Sequence, residues 1–326
     1  DSFPMCGGSV ERPPQGRAAT KFVGLANQGA TCYLNSLLQT CFMTPEIRET
    51  IFSVGREDMH YGGALPGDGL EQQDLYMPCE LQRLLAYMQA ADVDGLQTDA
   101  LTHSFGWSGG DTGVHHDLQE LMRILFDHLE ESLPEADKVR VKDIYTGSLA
   151  QEVKCLKCEN RSIREECFAD LNIPVDGFDG IISSLSAFIA PESLSGENKY
   201  HCEKCNELVD ARKQIRLRKL SQIMILSLGR FRMNWEREDG VREKITDRFT
   251  FPQELDFSHY MEESAVDPQS TLYELFSVII HKGGANSGHY HAIIKDLHGQ
   301  GVWEAAVARA QEAGAASAWG GAGAAG

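Results

Sequence analysis

The chain has 326 residues, of which 42% are hydrophobic and 24% charged, and its formal net charge at pH 7 is −18. That size suits one or two soluble globular domains, and the negative charge argues against nucleic acid, which wants basic surface. No apolar run reaches the ~18 residues needed to span a bilayer, and no basic-then-apolar leader marks a signal peptide. The nine cysteines are therefore expected to be reduced thiols and metal ligands of a cytoplasmic or nuclear protein that does not bind membranes, not a disulfide framework.

Residues 1–20 are rich in Pro, Gly and Arg and aperiodic, and read as a disordered leader that opens without an initiator Met. Gly24 to Gln39 then runs from a glycine-rich polar loop into a helix, with Leu34, Leu37, Leu38, Cys41 and Phe42 on one apolar face. Thr31 is the expected N-cap, which sets Cys32 in the first turn. Thr44-Pro45-Glu46 opens a short helix carrying Ile47, Ile51 and Phe52. Residues 60–70 read as a loop. A helix after Pro78 buries Leu81, Leu84, Leu85 and Met88, and another over His116–Leu133 buries Leu118, Leu121, Leu125 and Leu129.

From about Tyr145 the character turns to strands broken by Gly, Asp and Asn. Ile223–Leu228 reads as a buried strand, Asn234–Glu243 and Met261–Thr271 as loops, and Leu275–Ile280 and Tyr290–Ile294 as strands flanking a glycine-rich loop. Beyond Trp303 the composition collapses to Ala, Gly, Glu and Ser, a low-complexity tail over 304–326.

Three features carry chemistry. A cysteine in a first helical turn faces unpaired amides and the positive end of the helix dipole, both of which favour the nucleophilic thiolate; the plainer reading of Cys32 is a cysteine that only packs. His289, at a loop-to-strand junction, can serve as its base. Cys155/Cys158 and Cys202/Cys205 are two Cys-x-x-Cys pairs, and together they offer four thiolates to a tetrahedral, closed, structural Zn²⁺ site.

The first two stretches resemble the Cys box and His box of the ubiquitin-specific proteases. Gly24, Leu25, Asn27, Gly29, Thr31, Cys32, Tyr33, Asn35, Ser36, Leu38 and Gln39 match the one; Tyr273, Leu275, Val278, His281, Gly283, Gly288, His289 and Tyr290 match the other. The resemblance covers roughly residues 22–303. It implies an α+β, papain-like cysteine protease fold with a thumb (about 21–140), fingers (about 145–235) bearing a zinc ribbon, and a palm (about 236–303). It implies thiol-dependent hydrolysis at the C-terminal glycine of ubiquitin, with ubiquitin and ubiquitinated proteins as partners. Cys32 is then the nucleophile, His289 the base and Asn27 an oxyanion donor, where the alternative for Asn27 is a loop residue closing an Asx-turn.

Asp117 and Gln119 match the family's segment that touches the ubiquitin tail. A carboxylate there would pair with the tail's arginine, while helix capping explains Asp117 equally well. Two positions depart from the family. Gly229 stands where a lysine is usual, and Ala306 stands where the family carries the Asp or Asn that orients the histidine. The second departure leaves open an alternative, a ubiquitin-binding module of the same fold with little or no catalysis.

Overall fold

The computed structural model describes residues 16–17, 21–55, 77–107, 117–234, 240–262, 271–285 and 287–297. The expected loop at 60–70, the expected tail at 304–326, Trp303 and Ala306 lie outside them. Helices and strands are mixed, and the chain forms two compact units, Asp1–His115 with Ile294–Gly326, and His116–Ile293. Among the described residues no helix is long and apolar enough to cross a membrane.

The first unit is mainly helical. In order it holds β1 (Gly24–Leu25), α1 (Cys32–Met43), α2 (Pro45–Ser53), α3 (Met77–Ala90), β2 (Gly95–Leu96) and α4 (Asp99–Ser104). Nine of the twelve residues of α1 are buried, so this is a central helix and its apolar stripe is only its most buried side. Pro45 occupies the first turn of α2, where its missing N–H costs nothing. The parallel pair β1–β2 sets Gly24 against Gly95 and Leu25 against Leu96. Within the expected leader, Arg17 is held in place. Its guanidinium donates to the carbonyls of Met88 (3.0 Å) and Ala91 (2.9 Å), where α3 runs out of helical partners for its C=O groups.

The second unit opens with α5 (Leu118–Ser132) and α6 (Glu135–Tyr145), joined by stacking of Phe126 on Tyr145 with ring centroids 4.3 Å apart. Then follow β3 (Gly147–Cys155), β4 (Arg161–Phe168), β5 (Leu171–Pro174), α7 (Ile181–Phe188), β6 (Glu192–Leu194), β7 (Tyr200–Cys202), β8 (Glu207–Val209) and β9 (Ala211–Lys219). The rest is β10 (Leu226–Gly229), β11 (Phe231–Asn234), β12 (Val241–Lys244), β13 (Glu254–Asp256), β14 (Leu272–Glu274), β15 (Ser277–Gly283) and β16 (Gly288–Ile294). Strands β4-β3-β9-β6 form an antiparallel sheet in that order. A separate core gathers Leu171 and Ile173 of β5, Ile181 and Leu185 of α7, and Phe249 and Phe257.

Several sequence expectations shift. The strand expected over Ile223–Leu228 is Leu226–Gly229; it pairs in parallel with β5 and is half-buried throughout, with Leu226 and Leu228 packed against that core. The two ends of the expected loop at Asn234–Glu243 belong instead to paired strands, with Asn234 opposite Val241 and Arg232 opposite Glu243, and residues 235–239 lie outside the described residues. Charged side chains pair across the strands and mask the pattern. The expected strand at Leu275–Ile280 runs instead over Ser277–Gly283. At Gly229 an added Cβ would come 3.3 Å from Asn172 Oδ1 and 3.4 Å from the Ile173 carbonyl, so a side chain there is crowded by β5.

Candidate active site and metal centre

The loop before Cys32 is built by the polar residues of its own motif. Asn35 Nδ2 donates to the carbonyls of Ala26 (3.1 Å) and Leu25 (3.3 Å), and Gln39 Nε2 donates to Val23 O (2.9 Å). Both residues sit on α1 and draw the incoming strand onto the helix. Gln28 bridges to α4, donating to Thr98 Oγ1 (2.7 Å) and accepting from Thr102 Oγ1 (3.1 Å). Gly29 supplies a φ of +100°, which a residue with a side chain rarely adopts.

Thr31 does not cap the helix with its side chain. Its hydroxyl accepts from Gln28 N (2.9 Å) and donates to Asn27 Oδ1 (2.9 Å), so it is turned back into the loop. The helical ladder begins with Asn35 N on Thr31 O (3.0 Å), so the amides of Cys32, Tyr33 and Leu34 lie ahead of it. Cys32 is buried at this junction. Asn27 is exposed, and its Nδ2 donates to Gly29 O at 2.8 Å, the reverse of the expected Asx-turn, in which the side-chain oxygen would accept from a backbone N–H. Further along α1, burial pushes the Cys41 thiol up to about 12, which keeps it protonated and inert.

In the second unit, His289 is an exposed residue of β16. Its strand pairs with β15, and two glycines permit the approach. Gly283 has φ +125°, and a Cβ on Gly288 would collide with the His281 ring and the Lys282 carbonyl. Asp117 caps α5, accepting from Gln119 N at 2.8 Å, and its other oxygen lies 3.9 Å from Arg242 Nη2. Gln119 Nε2 donates instead to the buried Asp170 carboxylate (2.8 Å), which also receives Arg123 Nη2 (3.1 Å). Arg242, Asp170 and Arg123 thus bear on this corner; nothing in their local sequence marks them, since each partner is remote in the chain.

Cys155, Cys158, Cys202 and Cys205 converge with all sulfurs within 4.8 Å of one another. Cys155 and Cys205 stand 3.9 Å apart, and Cys158 and Cys202 3.7 Å. Four thiolates about 2.3 Å from a central ion would stand about 3.8 Å apart, so the donor set fits a tetrahedral metal. Cys155 ends β3, Cys202 ends β7, and each pair closes a matching turn: Glu159 N reaches Cys155 O (3.1 Å) and Asn206 N reaches Cys202 O (2.7 Å). The amides of Lys157 and Cys158 point at Cys155 Sγ, both at 3.4 Å. With the Cys158 amide as the largest cause, the Cys155 thiol is drawn down to about 7, while Cys205, hydrogen-bonded first to Cys158, is pushed up to about 12. Four sulfurs this close cannot all be anionic without a cation among them.

A family model described as ubiquitin carboxyl-terminal hydrolase matches residues 23–306 of this chain. The mouse and human proteins named ubiquitin carboxyl-terminal hydrolase 40 are each 40% identical to it over 294 residues, covering 90% of this chain. Ubiquitin carboxyl-terminal hydrolase 47 of Xenopus tropicalis is 32% identical over 347 residues, covering 88% of this chain and 25% of its own length. This chain spans about a quarter of the curated relatives it matches, 24% of the mouse and human proteins. On the extent of the family match and on these identities, the chain belongs to the ubiquitin carboxyl-terminal hydrolase family.

Proposed function

We propose that this chain is the catalytic domain of a thiol-dependent deubiquitinase that hydrolyses the isopeptide or peptide bond at the C-terminal glycine of ubiquitin. The observation that carries the reading is the loop–helix junction at Cys32, whose polar residues are spent on holding that cysteine ahead of the helical ladder. Cys32 Sγ attacks the glycine carbonyl while His289 takes the thiol proton. The tetrahedral intermediate collapses to a thioester, and His289 passes the proton to the departing amine. Water then attacks the thioester, His289 takes its proton, and the proton returns to the cysteine as ubiquitin's carboxylate leaves. Asn27 exchanges its contact with Gly29 O for the developing oxyanion; such a donor is typically worth ~10²–10³ in rate.

Asp117 keeps its capping bond through one oxygen and offers the other, now facing Arg242, to the arginine of the ubiquitin tail. Gln119 contributes by fixing the start of α5 on Asp170. Zn²⁺ suits the four thiolates, and held by Cys155, Cys158, Cys202 and Cys205 it ties β3 to the β7–β8 hairpin with no position left for water. The mixed architecture and the cysteine cluster support a papain-like thumb, palm and fingers. We place the protein in the cytoplasm or nucleus, with ubiquitin and its conjugates as partners.

The test is turnover of a fluorogenic ubiquitin C-terminal substrate, alongside labelling by a ubiquitin C-terminal electrophile. The expected outcome is turnover and labelling in the wild type and neither in Cys32→Ala. Equal rates in the two proteins would sink the enzymatic reading and leave a ubiquitin-binding module.

A further inference from the structure

Lys244, at the end of β12, reaches across to β15 and donates to three acceptors there. These are His281 O (2.8 Å), Gly283 O (3.1 Å) and His281 Nδ1 (3.1 Å). An ammonium can only donate, so Nδ1 accepts and the imidazole proton sits on Nε2. Burial, and after it Arg230, lowers the Lys244 pKa from its ordinary value. A partly desolvated ammonium is costly unless its donors are satisfied, and here they are satisfied by one short piece of chain.

That piece is the neck of the loop leading to His289. The His281 ring covers Gly288, where it occupies the space a Cβ would need, and it packs on Tyr290 with centroids 4.6 Å apart. Gly288 and Tyr290 flank His289, and strand alternation sends the His289 side chain to the opposite face. Phe231, the cross-strand partner of Lys244, also packs near His281, with ring centroids 5.9 Å apart. The backbone that carries His289 is therefore backed by the His281 imidazole, and that imidazole accepts from the Lys244 ammonium.

We infer that Lys244 is a positioning residue for His289, acting through His281 and the β15–β16 neck. The inference rests on His289 being the general base of the proposed reaction. Its test uses Lys244→Met, which keeps the length of the stem and removes the donors, and Lys244→Arg, which keeps charge and donors. With the fluorogenic ubiquitin substrate, Lys244→Met is expected to lower kcat ~10–100-fold with KM within about twofold, the scale of loss for a base displaced by about 1 Å. Lys244→Arg should recover most of that loss. A Lys244→Met kcat within twofold of wild type, or no recovery in Lys244→Arg, would overturn it.

Amide hydrogen exchange provides a readout that does not depend on turnover. Exchange in Gly288–Ile294 should accelerate in Lys244→Met while β3 stays unchanged, and unchanged exchange in Gly288–Ile294 would overturn the inference even if the wild type proves inactive. Should wild type and Cys32→Ala turn over equally, the deubiquitinase reading falls, and exchange alone decides whether Lys244 holds the neck.

Discussion

Two cysteine-bearing regions of this molecule are ordered by opposite means. α1 begins with Cys32 and is sunk in apolar contacts, with Tyr33, Leu34 and Leu38 fully buried. Among the described residues, the hydrophobic cluster that holds the four cysteines adds just Val209 and Tyr200, while Leu156 and Leu208 are about 60% exposed (59% and 62%). Apolar burial at roughly 25 cal/mol per Å² can hold the first region. It cannot hold the second, where two turns and a short hairpin have almost nothing to bury. The difference teaches that cysteines in one chain can be fixed by their surroundings or can themselves do the fixing.

The sharpest way to break this contrast is to remove the proposed metal ligands. Structural zinc in small domains supplies apparent binding energies of ~10–16 kcal/mol, nearly all of it folding energy. Cys202→Ser, or a strong chelator acting on wild type, should therefore unfold the β7–β8 hairpin and loosen the ends of β3 and β9. Hydrogen exchange should rise there by orders of magnitude while α1 keeps its protection. Metal analysis should find about one Zn²⁺ per chain before chelation and none after. Equal loosening of α1 would show that the two regions are not independent.

The reverse perturbation is smaller. Leu38→Ala removes a fully buried side chain from α1, and such truncations typically cost 2–5 kcal/mol through lost transfer energy and the cavity left behind. Chemical denaturation of the metal-loaded protein should show a destabilisation in that range, with the metal content unchanged. A loss under about 1 kcal/mol would mean that the site collapses or that α1 is less well packed than its burial implies.

The contrast also explains what was legible in the sequence. The stripe of α1, the helix start at Pro45 and the paired Cys-x-x-Cys are local patterns, and they land where the pattern puts them. α6 escapes such a reading because Val139, one of its few apolar residues, is 49% exposed, so no clean stripe forms. α7 opens at Gly180, where a Cβ would collide with Thr250, and a tertiary contact of that kind has no local signature. The hairpin at Phe231–Lys244 hides behind charged residues that pair across strands. For the proposed site residues the sequence carries the residue types but not the hydrogen-bond partners they take. Thr31 is a good cap by type yet turns back to Asn27, and Gln119 spends its amide on Asp170, 51 positions away.

The smallest expected effect sits inside the metal turns themselves. Glu159 (φ 59°) and Asn206 (φ 54°) occupy the same place in the two turns, just after the second cysteine of each pair, and both are left-handed. That conformation costs a side-chain-bearing residue roughly 1–2 kcal/mol, less for Asn, whose short amide tolerates it. Glu159→Gly removes this strain, against an unfolded-state entropy cost of ~0.4–1 kcal/mol. It also loses an ion pair with Lys154 at 3.8 Å whose glutamate is 80% exposed, worth little. The net expectation is a gain below ~1 kcal/mol, read as a modest rise in the chelator concentration needed to strip the metal. Asn206→Gly should gain nothing, and Glu159→Ala should fall below Glu159→Gly because it keeps the strained φ. If Glu159→Ala and Glu159→Gly behave alike, strain at the left-handed position is not what the glycine relieves.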